Sequence, residues 1–422
     1  MKIFRILLLS LFTTLCLALG AQDVMRTVIY NKAIKTPQMY LNGVELSGAY
    51  LDLKGVTPIA LHFDELGTDY KNYQYSLLHC NSDWTPSSLL PQEYIDGYFE
   101  DYITTYSTSF NTLQEYLHYT VNIPNENMKL KKSGNYIVKV FEVGNSDAPA
   151  FTMRFVVYEN IARVTTMIKR SDIVQERETL QEIDFNIVPP FNITNPYTDL
   201  KITILQNNRW DNAIRGLTPT FVRDNELVFN YDRKSSFPGG NEYRQIDLKS
   251  FRYQTGRVAK IVQADGAYQV KLVNDIVRNI YPYGSYQDLN GGYVIKNDDG
   301  TGGNPNNDGD YASVTFTLPH EAVTSGILYI AGDFNQNRLT EENQMKYNYN
   351  IGAYECTMLL KQGYYNYQYV LVKDKQQPDA SFIEGAFFQT ENNYTILIYY
   401  RDFSTDYDRV IGCYTANSMR GN

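Results

Sequence analysis

The residues that could do chemistry are few and badly spaced for it. The chain of 422 residues has four histidines and four cysteines. His62, His79, His118 and His320 share no metal-ligand spacing, and HExxH, paired CxxC and a P-loop are all missing. His79 and Cys80 are neighbours in an alternating run, so as a strand they point to opposite faces and cannot form a Cys/His dyad. Only His118 is left to approach Cys80 in space. Two Asx-rich runs approach calcium-loop spacing. Asn304, Asn306, Asp308 and Gly309 form one, with Thr315 where the bidentate Glu belongs. Asp333, Asn335 and Asn337 form the other, with Arg338 in place of the Gly. Both read better as solvated loops. Cys16 lies in an apolar leader, and Cys80, Cys356 and Cys413 make an odd set in which only Cys356–Cys413 suggests itself as a pair. The expectation is no catalytic residue, no metal and no cofactor.

What the chain has in quantity is aromatic surface: 37 Tyr and 20 Phe, but only 2 Trp. The stretch from Tyr73 to Tyr119 concentrates it. It opens as a strand, with Tyr73, Tyr75, Leu77 and His79 on one face. It breaks at Asn81-Ser82-Asp83, a cluster of turn formers, and becomes an excursion over 81–116 that carries Trp84, Tyr94, Tyr98, Phe99, Tyr102, Tyr106 and Phe110. Such a segment is too aromatic for disorder and must pack on something. Tyr and Trp are the side chains interfaces favour. The candidate partner contacts are therefore Trp84, Tyr94, Tyr98, Phe99, Tyr102, Trp210 and Phe237. Taken singly, Trp84 and Trp210 read better as core or inter-domain packing and Phe237-Pro238-Gly239-Gly240 as a structural turn, with Arg209 and Arg244 paired to Asp or Glu inside the middle domain.

The elements that must position these residues are short alternating runs. Examples are Ile59–Phe63, Tyr136–Phe141, Leu200–Leu205, Val314–Leu318 and Tyr394–Tyr399, separated by Gly, Pro, Asn and Asp. Only Pro91–Tyr102 and a piece near Gln175–Glu182 hold a helical period. The class is all-β, built of tandem immunoglobulin-like or early-set sandwiches. One spacing occurs twice: Leu130, Gly134 and Tyr136, then Leu359, Gly363 and Tyr365. It matches a tyrosine corner, in which a Tyr early in a late strand bonds its hydroxyl to backbone upstream, with Gly permitting the turn. The expected division is a first sandwich over 22–158 containing the 81–116 insertion, a middle β-rich domain over 159–290 and an early-set-like sandwich over 291–422.

Residues 1–21 have the form of a secretory signal peptide, with Lys2 and Arg5 before the apolar run Ile6–Leu19 and small residues at Ala18-Leu19-Gly20. No later run is long and apolar enough for a membrane helix. The net charge of −9 argues against nucleic acid as a partner.

Certain stretches resemble the plug proteins of the type IX secretion system of Bacteroidota. They are HCNSDW (79–84), Pro91–Tyr98, TSFNTLQEYLHY (108–119), SGNY (133–136), QNNRWDNAI (206–214), FPGGNEYRQID (237–247), the segments 347–369 and 387–401, and DRVIG (408–412). The resemblance implies an exported, periplasmic, non-enzymatic protein. Its partner would be the outer-membrane translocon barrel, whose periplasmic opening it docks on and seals, with no small-molecule substrate. Two alternatives remain open. Gly363–Val372 and Leu328–Asn335 are similar to glycogen-binding-type early sets, which points to a secreted glycan-binding protein. Tyr-rich alternating strands also describe an outer-membrane β-barrel.

Overall fold

The computed structural model describes residues 26–300, 303–374 and 376–419. The leader over 1–21 lies outside them. The chain is nearly all β. Residues 28–158 make two facing sheets. One pairs Ile34–Leu41, Ile59–Leu66, Tyr116–Ile123 and Thr105–Thr108 in that order. The other pairs Val28–Ile29, Pro149–Tyr158, Gly134–Glu142, Tyr73–Cys80 and Glu100–Tyr102. In chain order these are strands A-B-E-D facing G-F-C, the immunoglobulin arrangement. Alternation places Leu61, Phe63, Tyr73, Tyr75, Tyr136, Val138 and Phe151 in one core. Each large side chain buried there contributes roughly 1.5–3 kcal/mol.

The 81–116 excursion is built rather than loose. The helix expected over Pro91–Tyr102 is one turn, Pro91–Tyr94, opened by Pro at its first position. The backbone then turns to strand: Ile95–Gly97 pairs with Met128–Leu130, Glu100–Tyr102 extends one sheet and Thr105–Thr108 extends the other. Near Gln175–Glu182 the expected helix is only a 3-10 turn, Val174–Glu176, before the strand Leu180–Val188. In both places strand pairing overrides the helical period after one turn.

A second sandwich faces Arg163–Arg170, Leu180–Val188, Glu226–Phe229 and Phe221–Arg223 against Ile214–Leu217, Leu200–Gln206, Asn393–Tyr400 and Arg409–Asn417. Its last two strands come from the end of the chain. A third sandwich lies between them in sequence. It pairs Arg244–Asp247, Tyr293–Ile295 and Ile327–Ala331 with Gly363–Val372, and faces them with the sheet that holds Val258–Ala264, Ala267–Leu272, Tyr311–Pro319, Ala353–Lys361 and Lys346–Asn348. The sheets therefore cut across a boundary at 290: strands from 244 to 272 belong with the third sandwich, and strands from 393 to 417 with the second. The pairing of Leu200–Gln206 with Asn393–Tyr400 spans the whole third sandwich, and strand pairing leaves no mark in either strand alone. Among the described residues no sheet closes on itself, so the β-barrel alternative is corrected to open sandwiches.

The first two sandwiches stack sheet on sheet. Cys80, Ile137 and Val156 from the outer face of one meet Leu205, Leu397, Tyr399 and Val410 from the other. Strands buried on both faces carry apolar residues on both, which is why Ile396–Tyr400 is apolar at every position. Both corner tyrosines reach back four residues: the Tyr136 hydroxyl donates to the Lys132 carbonyl at 2.8 Å and Tyr365 to the Lys361 carbonyl at 2.6 Å. The glycine before each serves close approach. A Cβ on Gly134 would strike the His79 ring, and one on Gly363 would strike the Val294 carbonyl.

Candidate functional site

The turn Asn81–Trp84 locks the first sandwich to the second. Ser82 donates both its amide (2.9 Å) and its hydroxyl (2.7 Å) to Asp408 Oδ2. Arg401 donates to Asp408 Oδ1 at 2.7 Å and to Asn81 Oδ1 at 2.6 Å, and Lys201 reaches Asp408 at 3.1 Å. Burial raises the Asp408 carboxyl, but the Ser82 donors and Lys201 outweigh it and hold it below its ordinary value. Beside it, Tyr399 donates to Asn135 at 2.8 Å. Trp84 has φ 70°, a strained conformation for a bulky residue, held by its amide bond to the Asn81 carbonyl. The stretches HCNSDW, SGNY and DRVIG thus meet at one seam.

A second seam joins the first sandwich to the third. The Lys361 ammonium, fully buried, donates to Asp64 at 2.6 Å and to the Asn306 carbonyl at 2.7 Å, and stands 4.0 Å from the Tyr116 ring centre. Tyr311 donates to the same oxygen as Lys361, Asp64 Oδ2, at 2.7 Å, and His118 lies 2.6 Å from the other oxygen, Asp64 Oδ1. Burial alone would raise Asp64, and Lys361 and His118 instead bring it below the ordinary carboxylate value. The Asx run at 304–309 therefore receives a lysine ammonium. In the other run, Asn335 spends its side chain on the Gly332 amide and Ile330 carbonyl. Among the described residues no three His, Cys, Asp or Glu gather as a metal site.

Where the three sandwiches converge there is a cavity of about 1000 Å³. The first sandwich lends it Trp84 and Arg154, the second Trp210 and Arg215, and the third Asp333 and Arg338. Trp84 and Trp210 meet edge to face with centres 4.8 Å apart, and the Arg154 guanidinium lies 4.3 Å over the Trp84 ring.

The expected contact residues divide. Trp84, Tyr94 and Phe237 are buried at 2%, 3% and 2% exposure. Trp84 packs in the inter-sandwich seam, Tyr94 donates to the Leu77 carbonyl, and Phe237 packs on Tyr394. In this fold these three serve internal packing, covered by residues distant in the chain: Trp210 and Arg154 on Trp84, Tyr136 on Tyr94 and Tyr394 on Phe237. Trp210 is half-buried on Trp84. Tyr98, Phe99 and Tyr102 are exposed, together with Tyr106 and Phe110, and they line one lateral edge of the first sandwich, where Glu100–Tyr102 and Thr105–Thr108 follow each other. Arg209 pairs with Asp211 at 2.6 Å, whereas Arg244 pairs at 2.9 Å with Asp275 and Glu384 inside the third sandwich. His79 and Cys80 do face apart: His79 meets Tyr136 edge to face in the core and Cys80 enters the seam. All three described cysteines are free, and burial pushes Cys80 up to about 12. Arg154 and Lys361 escaped notice, although a charged residue at an alternate position of an apolar strand such as Phe151–Val157 is a signal.

The family model described as the type 9 secretion system plug protein 1st domain matches residues 34–159, the first sandwich. Over the full length, a crystal structure of a hypothetical protein from Parabacteroides merdae is 36% identical, covers 93% of this chain and 99% of its own, and superposes with a TM-score of 0.90. The chain belongs to the type 9 secretion system plug family. The plug-family domain thus accounts for one sandwich of three, and the P. merdae protein shares the architecture of all three. A native alpha-2-macroglobulin from Escherichia coli, spanning domains NIE-MG1, aligns at 10% identity over 47% of this chain and 89% of its own with a TM-score of 0.18, too low to carry an argument. No curated protein matches. Plug-family proteins are structural components of secretion, and this chain has a role in type IX secretion.

Proposed function

We propose that this chain is a non-enzymatic periplasmic subunit that docks on the outer-membrane translocon barrel of the type IX secretion system and seals its periplasmic opening. Family membership carries the reading, and two features of the molecule support it. A plug must be wide and must not deform under its load. The three sandwiches are joined by the buried Lys361–Asp64 ion pair, the Ser82 hydrogen bonds to Asp408 and a sheet-on-sheet seam, which resist shear better than flexible linkers. A plug must also grip reversibly. The exposed rim of Tyr98, Phe99, Tyr102, Tyr106 and Phe110 offers rigid aromatic anchors at low entropic cost, on and beside two edge strands with polar backbone to spare.

Deleting the gene is expected to raise outer-membrane permeability to large antibiotics, and the barrel is expected to co-purify with the tagged chain. Unchanged permeability with no barrel in the eluate would sink the proposal. Changing Tyr98, Phe99 and Tyr102 together to Ser is expected to abolish co-purification without lowering the melting temperature, since none of the three is buried.

A further inference from the structure

We propose that the cavity at the junction of the three sandwiches binds an acidic peptide segment of a partner chain. The lining is rich in guanidinium groups: Arg26, Arg154, Arg209, Arg215 and Arg338 all face it. Three carboxylates share the wall, Asp83, Asp211 and Asp333, and Asp211 is already paired to Arg209. Among the described residues no carboxylate lies within ion-pair distance of Arg215 or Arg338. The excess of positive charge acts on the wall itself. Burial, followed by repulsion from Arg215 and Arg26, pushes the Arg154 guanidinium down to about 10.

The shape and the remaining polar groups choose among anions. A volume of about 1000 Å³ is at the upper end for ligand sites and far larger than a single ion needs. Asp83 and Asp333 would repel a compact dianion such as phosphate but can accept backbone N–H groups. Asn208, Gln336 and Asn337 offer both donors and acceptors, the pattern a peptide main chain requires. The guanidinium forks match side-chain carboxylates two bonds at a time, and the half-buried Trp210 indole gives an apolar wall for the methylene stems. The site stands on the cavity alone, so its failure would leave the docking reading intact, and the reverse also holds.

The chain carries its own reporter, because its only two tryptophans, Trp84 and Trp210, both line the cavity. Titrating the full chain with an end-capped hexaglutamate peptide is expected to give a saturable change in tryptophan emission that an end-capped hexaglutamine peptide does not give. The Arg215→Ala/Arg338→Ala variant is expected to weaken half-saturation by about tenfold or more. Arg215→Lys should weaken it less, because charge remains and the fork is lost. Neither position is part of a core cluster, and an unchanged melting temperature would confirm intact folding. No saturable signal, an equal signal from the neutral peptide, undiminished binding by the double variant, or displacement of the peptide by inorganic phosphate at equal concentration would each overturn the assignment.

Discussion

His79 and Lys361 show how single side chains set the conditions under which this fold holds. His79 is buried. Its Nε2 faces the Ser133 carbonyl at 3.1 Å, which can only accept, so Nε2 carries the proton and Nδ1 accepts from the Ser87 hydroxyl at 2.8 Å. Burial pushes this imidazole down to about 4 from an ordinary 6.5. Between those values the unfolded chain binds a proton that the folded chain refuses, so stability falls as pH drops through that window. The contribution of His79 is about 3 kcal/mol. Asp288 works in the opposite sense, since burial raises it to about 7 and its protonation favours the fold below that value. The His79 share is therefore read as a difference: the His79→Gln variant is expected to lose about 3 kcal/mol less than the parent between pH 6.5 and 4 in urea unfolding. An identical pH profile would refute it. Lys361→Met leaves Asp64 buried without its ammonium and is expected to cost about 3 kcal/mol. Lys361→Met with Asp64→Asn should recover part of that loss, since a polar amide needs no counter-charge.

At the scale of elements, the two tyrosine corners and the glycines before them make the sharpest test. Gly134→Ala sets a methyl against the His79 ring, which is held at both nitrogens, and does so at a backbone φ of 156°. Gly363→Ala sets one against the Val294 carbonyl, which is held in a strand. Both variants are expected to destabilise, by roughly 1–3 kcal/mol, with Gly134→Ala the worse in urea midpoint because backbone strain adds to its clash. The corners were legible in the sequence because their hydrogen bonds span only four residues and both leave the same Leu, Gly and Tyr spacing. The all-β class was legible for a similar reason, since alternation is a property of each strand by itself. The seams were not. Asp64 and Lys361 stand 297 positions apart and Ser82 and Asp408 stand 326 apart, and nothing in the neighbourhood of either residue names its partner. Trp84 looked like a surface anchor because a Trp after a turn is equally suited to an interface between proteins and to one between sandwiches. Only tertiary packing separates those readings, and the exposed Tyr98, Phe99 and Tyr102 two turns further on show how close the two uses lie in the chain.

For the whole molecule, the interleaved connectivity decides what fails together. Asn393–Tyr400 is an inner strand of the second sandwich, pairing with Leu200–Gln206 on one side and Arg409–Asn417 on the other. The same two terminal strands present Leu397, Tyr399 and Val410 to the first sandwich and carry Asp408, the acceptor for Ser82. Every strand of the third sandwich, by contrast, lies between residues 244 and 372. Removing residues 388–422 should therefore spare the segment nearest the cut and damage those far from it. The second sandwich loses half of one sheet, and the apolar outer face of the first sandwich around Cys80, Ile137 and Val156 loses its cover. In limited proteolysis of such a truncated chain, the earliest cuts are expected between residues 160 and 240, while 244–372 stays protected and binding of a hydrophobic dye rises. A serial arrangement of units would give the reverse, with early cuts after residue 291 and a middle segment that resists. The cavity makes the same prediction by a separate route. Trp210 follows the strand Leu200–Gln206, so truncation should expose it and shift its emission to the red, while a molecule whose second sandwich closed on itself would keep the emission of the intact chain.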